Sequence, residues 1–247
     1  MATVLIPLPD RDFDVTEVAV PWRVLTRAGH RVVFATERGD VAPQADPLLL
    51  TGVLFGRLGA EAEPKRCYTE MTAAPGWSTP AAWADVQVEQ YDGLLLPGGH
   101  APGMRQYLGS ESLRERVAAF WGLRRPVGAI CHGVLVLART RGSDGRSVLW
   151  GRRTTCLPGY MERSAYLATA WKLGRYYRTY PAYVEAEVRS ALADRADFVR
   201  GPIELSRRGT DQDDRHAFVV EDGNYVSARW PGDSYLFAKR FLARLPA

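Results

Sequence analysis

The sequence predicts an α/β fold, a doubly wound and mostly parallel sheet flanked by helices, on three observations. It opens strand–helix–strand, with apolar runs at residues 3–8 and 31–35 around an amphipathic segment at 16–28. Parallel neighbours need such a crossover helix, whereas antiparallel ones do not. A further apolar run at residues 91–96 stops at Pro97-Gly98-Gly99. Another, in residues 126–130, stops at Cys131 and resumes after Gly133 as an apolar segment of helical length. That is the pattern of a strand driving into a tight turn that opens a helix.

Taken in order, Pro7 and Pro9 close the first strand, and a polar loop at residues 10–14 leads to the first helix. Val18, Val20, Val24 and Leu25 form its apolar face, Gly29 caps its end, and Pro21 is expected near enough to the start to cost at most one hydrogen bond. Residues 39–86 are irregular and rich in Pro, Gly and Ala, apart from one strand or helix at 48–54. They read as an insertion capping one edge of the sheet. A helix at 112–122 follows, with Ser112 and Glu115 as a capping box. Residues 142–145 form a turn, and 148–150 with 154–156 are expected as a hairpin or edge strands around Gly151. Residues 160–192 are helical in pattern and dense in aromatic rings, which serve either as packing between helices or as a pocket wall. Strands at 217–221 and 225–228 flank the turn Asp222-Gly223-Asn224, and a helix at 233–245 ends the chain. The whole is expected as a single domain, 1–247, with cap-forming insertions at about 39–86 and 157–195.

Composition narrows the function. At 247 residues the chain is long enough for a substantial core. The net charge of +4 comes from scattered arginines, so it reads as solvated surface with some preference for anionic small molecules, not as a nucleic-acid footprint. Three cysteines, Cys67, Cys131 and Cys156, are too few and too dispersed for a disulfide framework or a thiolate metal site. No run approaches the roughly 20 apolar residues of a membrane span, and residues 1–6 carry no basic leader. A reducing cytoplasm is the expected compartment.

In a parallel sheet the loops after the strands gather at one edge, where ligands bind. Here they carry Asp14 and Glu17, then Gly98, Gly99 and His100, then Cys131 and His132, and finally Glu162. Cys131 is either a nucleophile or a small buried hydrophobe at a strand end. As a nucleophile it would face the N–H groups of the next helix, which favour a thiolate. Gly98 and Gly99 suit an oxyanion hole with the His132 N–H as second donor. His132 contributes either that backbone donor alone or an imidazole curled back to the sulfur, with Glu162 to orient it. Glu17 is a separate carboxylate for proton exchange with Cys131; the alternative for both glutamates is a solvated helix-terminal carboxylate. His100 is a candidate substrate contact at the pocket mouth. Four scattered histidines suggest no metal.

The segments Asp14-Val15-Thr16-Glu17-Val18-Ala19-Val20-Pro21, Tyr91 to His100, residues 127–133, and Asp222-Gly223-Asn224 with Pro231-Gly232 together resemble the ThiJ/PfpI superfamily, a branch of the class I glutamine amidotransferase-like, flavodoxin-like fold. The Cys131-His132-Gly133 elbow is similar to the heat-shock chaperone/glyoxalase III and PfpI-type branches. The resemblance implies Cys131 as nucleophile, Glu17 as the carboxylate touching it, and Gly99 and His132 N–H as oxyanion donors. Residues 151–156 followed by Glu162 resemble the segment that supplies a third catalytic acid. It also implies a homodimer and a cofactor-independent enzyme acting on a small carbonyl or acyl compound. A glutamine amidotransferase-type subunit and a non-enzymatic holdase or redox stress protein are the alternatives, and peptidase activity ranks last.

Overall fold

The computed structural model describes residues 1–204 and 206–246. Strand β1 (Thr3–Pro7) leads through the short β2 (Arg11–Phe13) into helix α1 (Val15–Arg27), and β3 (Arg31–Thr36) returns beside β1. Asp14 ends the preceding loop as the cap of α1, its carboxylate accepting from the Thr16 and Glu17 N–H groups at 2.8 and 3.1 Å. Pro21 lies well inside α1, so the carbonyl of Glu17 loses its helical donor.

Residues 39–86 are more regular than their composition suggests. They contain β4 (Gln44–Ala45), which pairs with β2, then α2 (Pro47–Thr51), α3 (Ala62–Thr72) and β5 (Ala81–Ala82), which joins the main sheet beside β3. Helix α3 packs against α1 and buries only Pro64, Cys67 and Met71. So narrow an apolar stripe leaves little periodicity to read.

Next come β6 (Gly93–Leu96), α4 (Met104–Gly109), α5 (Glu111–Gly122), β7 (Val127–Ile130) and α6 (Gly133–Arg139). The cap of α5 is Ser110, whose hydroxyl accepts from Leu113 N–H at 3.1 Å; Ser112 already lies inside the helix, so the expected capping box is displaced. Around Gly151 no hairpin forms. Thr154 instead bonds the backbone of Asp197 and Val199, and Thr155 N–H donates to Ser227 Oγ, so distant chain takes the partners a hairpin would need. The helical pattern at 160–192 divides into α7 (Gly159–Leu173) and α8 (Val184–Ser190), broken at Gly174 with φ +56°. Tyr176, Tyr177, Tyr180 and Tyr183 therefore lie in the connection, not on helices. Strands β8 (Val219–Asp222) and β9 (Tyr225–Ala228) form the expected hairpin, followed by α9 (Ser234–Leu242).

The main sheet has the order β5-β3-β1-β6-β7-β9-β8, and only the β8–β9 pair is antiparallel. Helices α1, α3 and α9 pack together as one layer, and α4, α5, α6 and α8 as the other. The register, with Leu94 beside Val127 and Ile130 beside Ala228, sets the C-terminal ends of the central strands along one edge. Val4, Ile6, Leu96, Val127 and Ile130 are completely enclosed between the layers, each burial stabilising by about 1.5–3 kcal/mol. Among the described residues no helix is long and apolar enough to cross a membrane.

Where β7 turns into α6 the chains pass in near contact. A Cβ on Gly133 would lie 2.1 Å from the Leu96 carbonyl oxygen and 2.6 Å from that of Pro97, both backbone atoms that cannot step aside. Gly145, with φ +75°, has open space around it. Gly133→Ala is therefore expected to cost about 3 kcal/mol or more, and Gly145→Ala about 1–2 kcal/mol from backbone conformation alone. Denaturant midpoints check the pair; equal losses would mean that this crossing is not tightly packed.

Candidate functional site

The edge formed by the strand ends carries Cys131 at its centre. Its φ is +56°, a left-handed conformation that costs a non-glycine residue about 1–2 kcal/mol. The turn is held on both sides: Cys131 N–H donates to Ala228 O at 3.0 Å, and Gly133 rests on β6. The side chain is thereby aimed out of the sheet into a cavity of about 520 Å³ that is also lined by Glu17, His100, Glu162 and Tyr177.

Helix α1 delivers Glu17, which is fully buried. Its Oε2 accepts from Gly98 N–H at 2.8 Å, and Gly98 O accepts from Asp14 N–H at 2.9 Å, which lock the loops after β1 and β6 together. A Cβ on Gly98 would sit 2.7 Å from His132 N and 2.8 Å from Glu17 Oε2. Gly98 thus makes room for the site, and its N–H is spent on Glu17, not on a substrate oxyanion. Gly99 has φ +150°, and the His132 N–H is directed at the Cys131 sulfur.

Burial and the neighbouring Asp14 push the Glu17 carboxyl well above the usual carboxylate range, and burial raises Asp14 to about 6. Burial, with the charge of Glu17, pushes the Cys131 thiol up as well. The expected thiolate is not favoured at this buried position, because a helix end contributes only about 0.3–1 kcal/mol while desolvation of a buried charge costs several. Glu17 and Cys131 are two buried acids in contact, with Glu17 Oε1 sealed off without a conventional hydrogen bond. Protonating the carboxyl removes only its own share of the upward push on the thiol, and burial remains the larger cause.

His132 curls back as the sequence allowed: its Nδ1 lies 3.5 Å from Cys131 Sγ. Its Nε2 lies 3.4 Å from Thr179 Oγ1, and Thr179 donates its single hydroxyl hydrogen to His100 O at 2.7 Å. Thr179 can therefore only accept from His132, which places the imidazole hydrogen on Nε2 and leaves Nδ1 bare toward the sulfur. Burial lowers His132 to about 3, so the ring is neutral at ordinary pH.

Glu162 is not the partner of His132. Its carboxylate accepts from Val184 N–H at 3.0 Å, capping α8 from the cavity wall. Thr179 occupies the place that an orienting acid was expected to fill. His100 is stacked on Tyr177 at 4.2 Å and meets Tyr176 edge-on at 4.8 Å, and burial lowers it to about 3. Its Nε2 is sealed from water with no partner among the described residues. Tyr176 in turn donates to Asp46, the cap of α2. Tyr176 and Tyr177 belong to the aromatic stretch expected either as helix packing or as a pocket wall, and Tyr177 does line the cavity; no sequence signal marks Thr179 or Asp46. Of the other histidines, His30 accepts from Ala2 N–H and His216 pairs with Glu204, both away from the cavity. Among the described residues no three His, Cys, Asp or Glu side chains converge as a metal would require.

Burial raises Glu162 from 4.5 to about 7. The folded chain thus holds this proton more tightly than the unfolded one, and the stability it contributes is lost as pH rises through about 7. Glu162→Gln, which keeps an acceptor for Val184, is expected to stabilise the protein on the order of 2–3 kcal/mol well above that pH and to change little at about pH 4. Thermal unfolding at both pH values checks this; equal shifts would show a solvated carboxylate.

The chain is 34% identical over 182 residues to an uncharacterised protein of Schizosaccharomyces pombe, covering 71% of this chain and 66%, just under two thirds, of that protein. It is 26% identical to a deglycase of Pyrococcus abyssi, over 94% of this chain and 93% of the relative. The crystal structure of glyoxalase III from Candida albicans has the same fold, with a TM-score of 0.72 at 17% identity over 99% of this chain and 98% of the other. The family model described as "ThiJ/PfpI family-like" matches residues 8–202, and the chain belongs to the ThiJ/PfpI family.

Proposed function

We propose that this protein is a cofactor-independent cysteine enzyme acting on a small electrophilic carbonyl compound, in its concrete form a glyoxalase III-type conversion of a 2-oxoaldehyde to a 2-hydroxy acid. The observation that carries the reading is the position of Cys131 Sγ on a cavity wall, 3.5 Å from the bare Nδ1 of a neutral imidazole and in contact with the Glu17 carboxyl, which burial holds above the usual carboxylate range. The deglycase and glyoxalase III names borne by relatives support an activity of this kind.

Sulfur adds to the aldehyde carbon as its proton passes to His132 Nδ1, forming a C–S bond and an alkoxide held by the Gly99 and His132 amides. Glu17 protonates that oxygen to give the hemithioacetal. The C1 hydrogen then leaves as a proton and returns at C2, while the C2 carbonyl becomes a hydroxyl and C1 a thioester. Water cleaves the thioester, releasing the 2-hydroxy acid and restoring the thiol. The sum is substrate plus one water, with no external oxidant. A glutaminase-type reading needs a carboxylate on the imidazole, where Thr179 stands instead.

Cys131→Ala is expected to abolish methylglyoxal turnover, and intact mass after aldehyde trapping should show an adduct on the wild type alone. Full turnover by this variant would end the proposal. Glu17→Gln should lower kcat about 10²–10⁴-fold, the usual share of a positioned proton donor. Thr179→Val should lower kcat about tenfold through loss of the tautomer while KM holds, and Thr179→Ser should restore it. If Val and Ser behave alike, the hydroxyl does not orient His132.

A further inference from the structure

The cavity is far larger than a three-carbon dicarbonyl needs. Its volume is about 520 Å³, and most of its wall is apolar. Along α7 the side chains of Met161, Ala165 and Ala168 face into it, and Leu49 and Leu58 of the 39–86 insertion face them. Trp171 lies one helical turn beyond Ala168 and shares that face. From Met161 to Trp171 the helix rises about 15 Å.

At the outer end the surface is unusual. Phe55, Leu58, Leu167 and Trp171 are 80%, 54%, 66% and 71% exposed, and the rings of Phe55 and Trp171 stack at 6.4 Å. Leu58 is half exposed and also lines the cavity, and Phe55 lies three residues before it, so this exposed apolar surface adjoins the open side of the cavity. Phe55 and Leu58 are held outward by left-handed backbone at φ +49° and +61°. Of the charged groups nearby, Arg208 lies 3.8 Å from Glu61 and also offsets Asp14, and Lys172 sits over the Phe55 ring at 4.7 Å.

We propose that the carbonyl substrate is carried on an apolar chain or ring that lies along α7 and leaves between Phe55 and Trp171. This rests on the reading of Cys131 as the nucleophile that meets its aldehyde end. A body of that kind covers the exposed rings and displaces water from the aliphatic wall.

The test is a selectivity ratio. The kcat/KM for phenylglyoxal and for an n-octyl 2-oxoaldehyde is expected to exceed that for methylglyoxal by about tenfold or more. Ala168→Trp, which fills the track, should lower that ratio about tenfold, and Phe55→Ser should lower the octyl ratio further than the phenyl ratio. A misfolded variant depresses all substrates together and leaves the ratio in place, so folding loss does not imitate the effect. A ratio near one in the wild type overturns the proposal. Should no 2-oxoaldehyde be turned over, binding of 2-decanone, a ketone of low reactivity, is read by tryptophan fluorescence. Saturable binding that Ala168→Trp removes keeps the apolar track and ends the catalytic reading, whereas absence of binding overturns both. If Phe55→Ser instead converts a dimer to a monomer and leaves the ratio unmoved, the patch is a contact with a second copy of the chain and the proposal fails.

Discussion

Everything at this site depends on one forced backbone turn. Cys131 adopts a left-handed conformation that its side chain resists, and the fold keeps it there by pinning both flanks. On one side its amide completes the β7–β9 ladder through Ala228; on the other, Gly133 lies against the Leu96 and Pro97 carbonyls. Relaxing the turn would break a buried hydrogen bond and separate two packed strands, so the strain of about 1–2 kcal/mol is outweighed. The result is a sulfur projecting from the sheet edge while the strand carrying it stays wholly in the core.

The second constraint is electrostatic. Asp14, Glu17 and Cys131 are three acidic groups buried close together, and of the arginines only Arg208 appreciably offsets Asp14. In a medium of low dielectric such a group cannot ionise fully, so protons are shared and retained. Glu17 is held at fixed distance by Gly98, which is why it stays aimed at the sulfur. The imidazole of His132 is equally fixed, because the hydroxyl of Thr179 has only one hydrogen and gives it to His100.

The walls are built by different means. The 39–86 insertion contributes Leu49, Leu58 and Glu61 among others, and α7 contributes Met161, Glu162, Ser164, Ala165 and Ala168. Behind them the buried Arg229–Asp233 pair, bonded at 2.9 Å, anchors the turn that carries Trp230 and Pro231 into the wall. The edge that carries Cys131 thus belongs to the parallel sheet, while the shape and polarity of the space in front of it come from segments outside that sheet.

The sequence alone determined the parallel sheet, the elbow at Cys131 and the gathering of Glu17, Gly98, Gly99 and His132 at one edge. These follow from apolar runs that stop at turn residues, a local signal that topology carries into space. It also marked Glu162 and His100 as cavity residues but not their partners. What only the tertiary structure decided was which groups meet: that Glu162 caps α8, that Thr179 faces His132, that Tyr176 and Tyr177 leave the helices to cover His100, and that Gly98 donates to Glu17. Those contacts join residues from 22 to 81 positions apart. No local periodicity encodes them, because they arise from the packing of whole elements, and burial there shifts the acids upward and the histidines downward from the values that isolated side chains show.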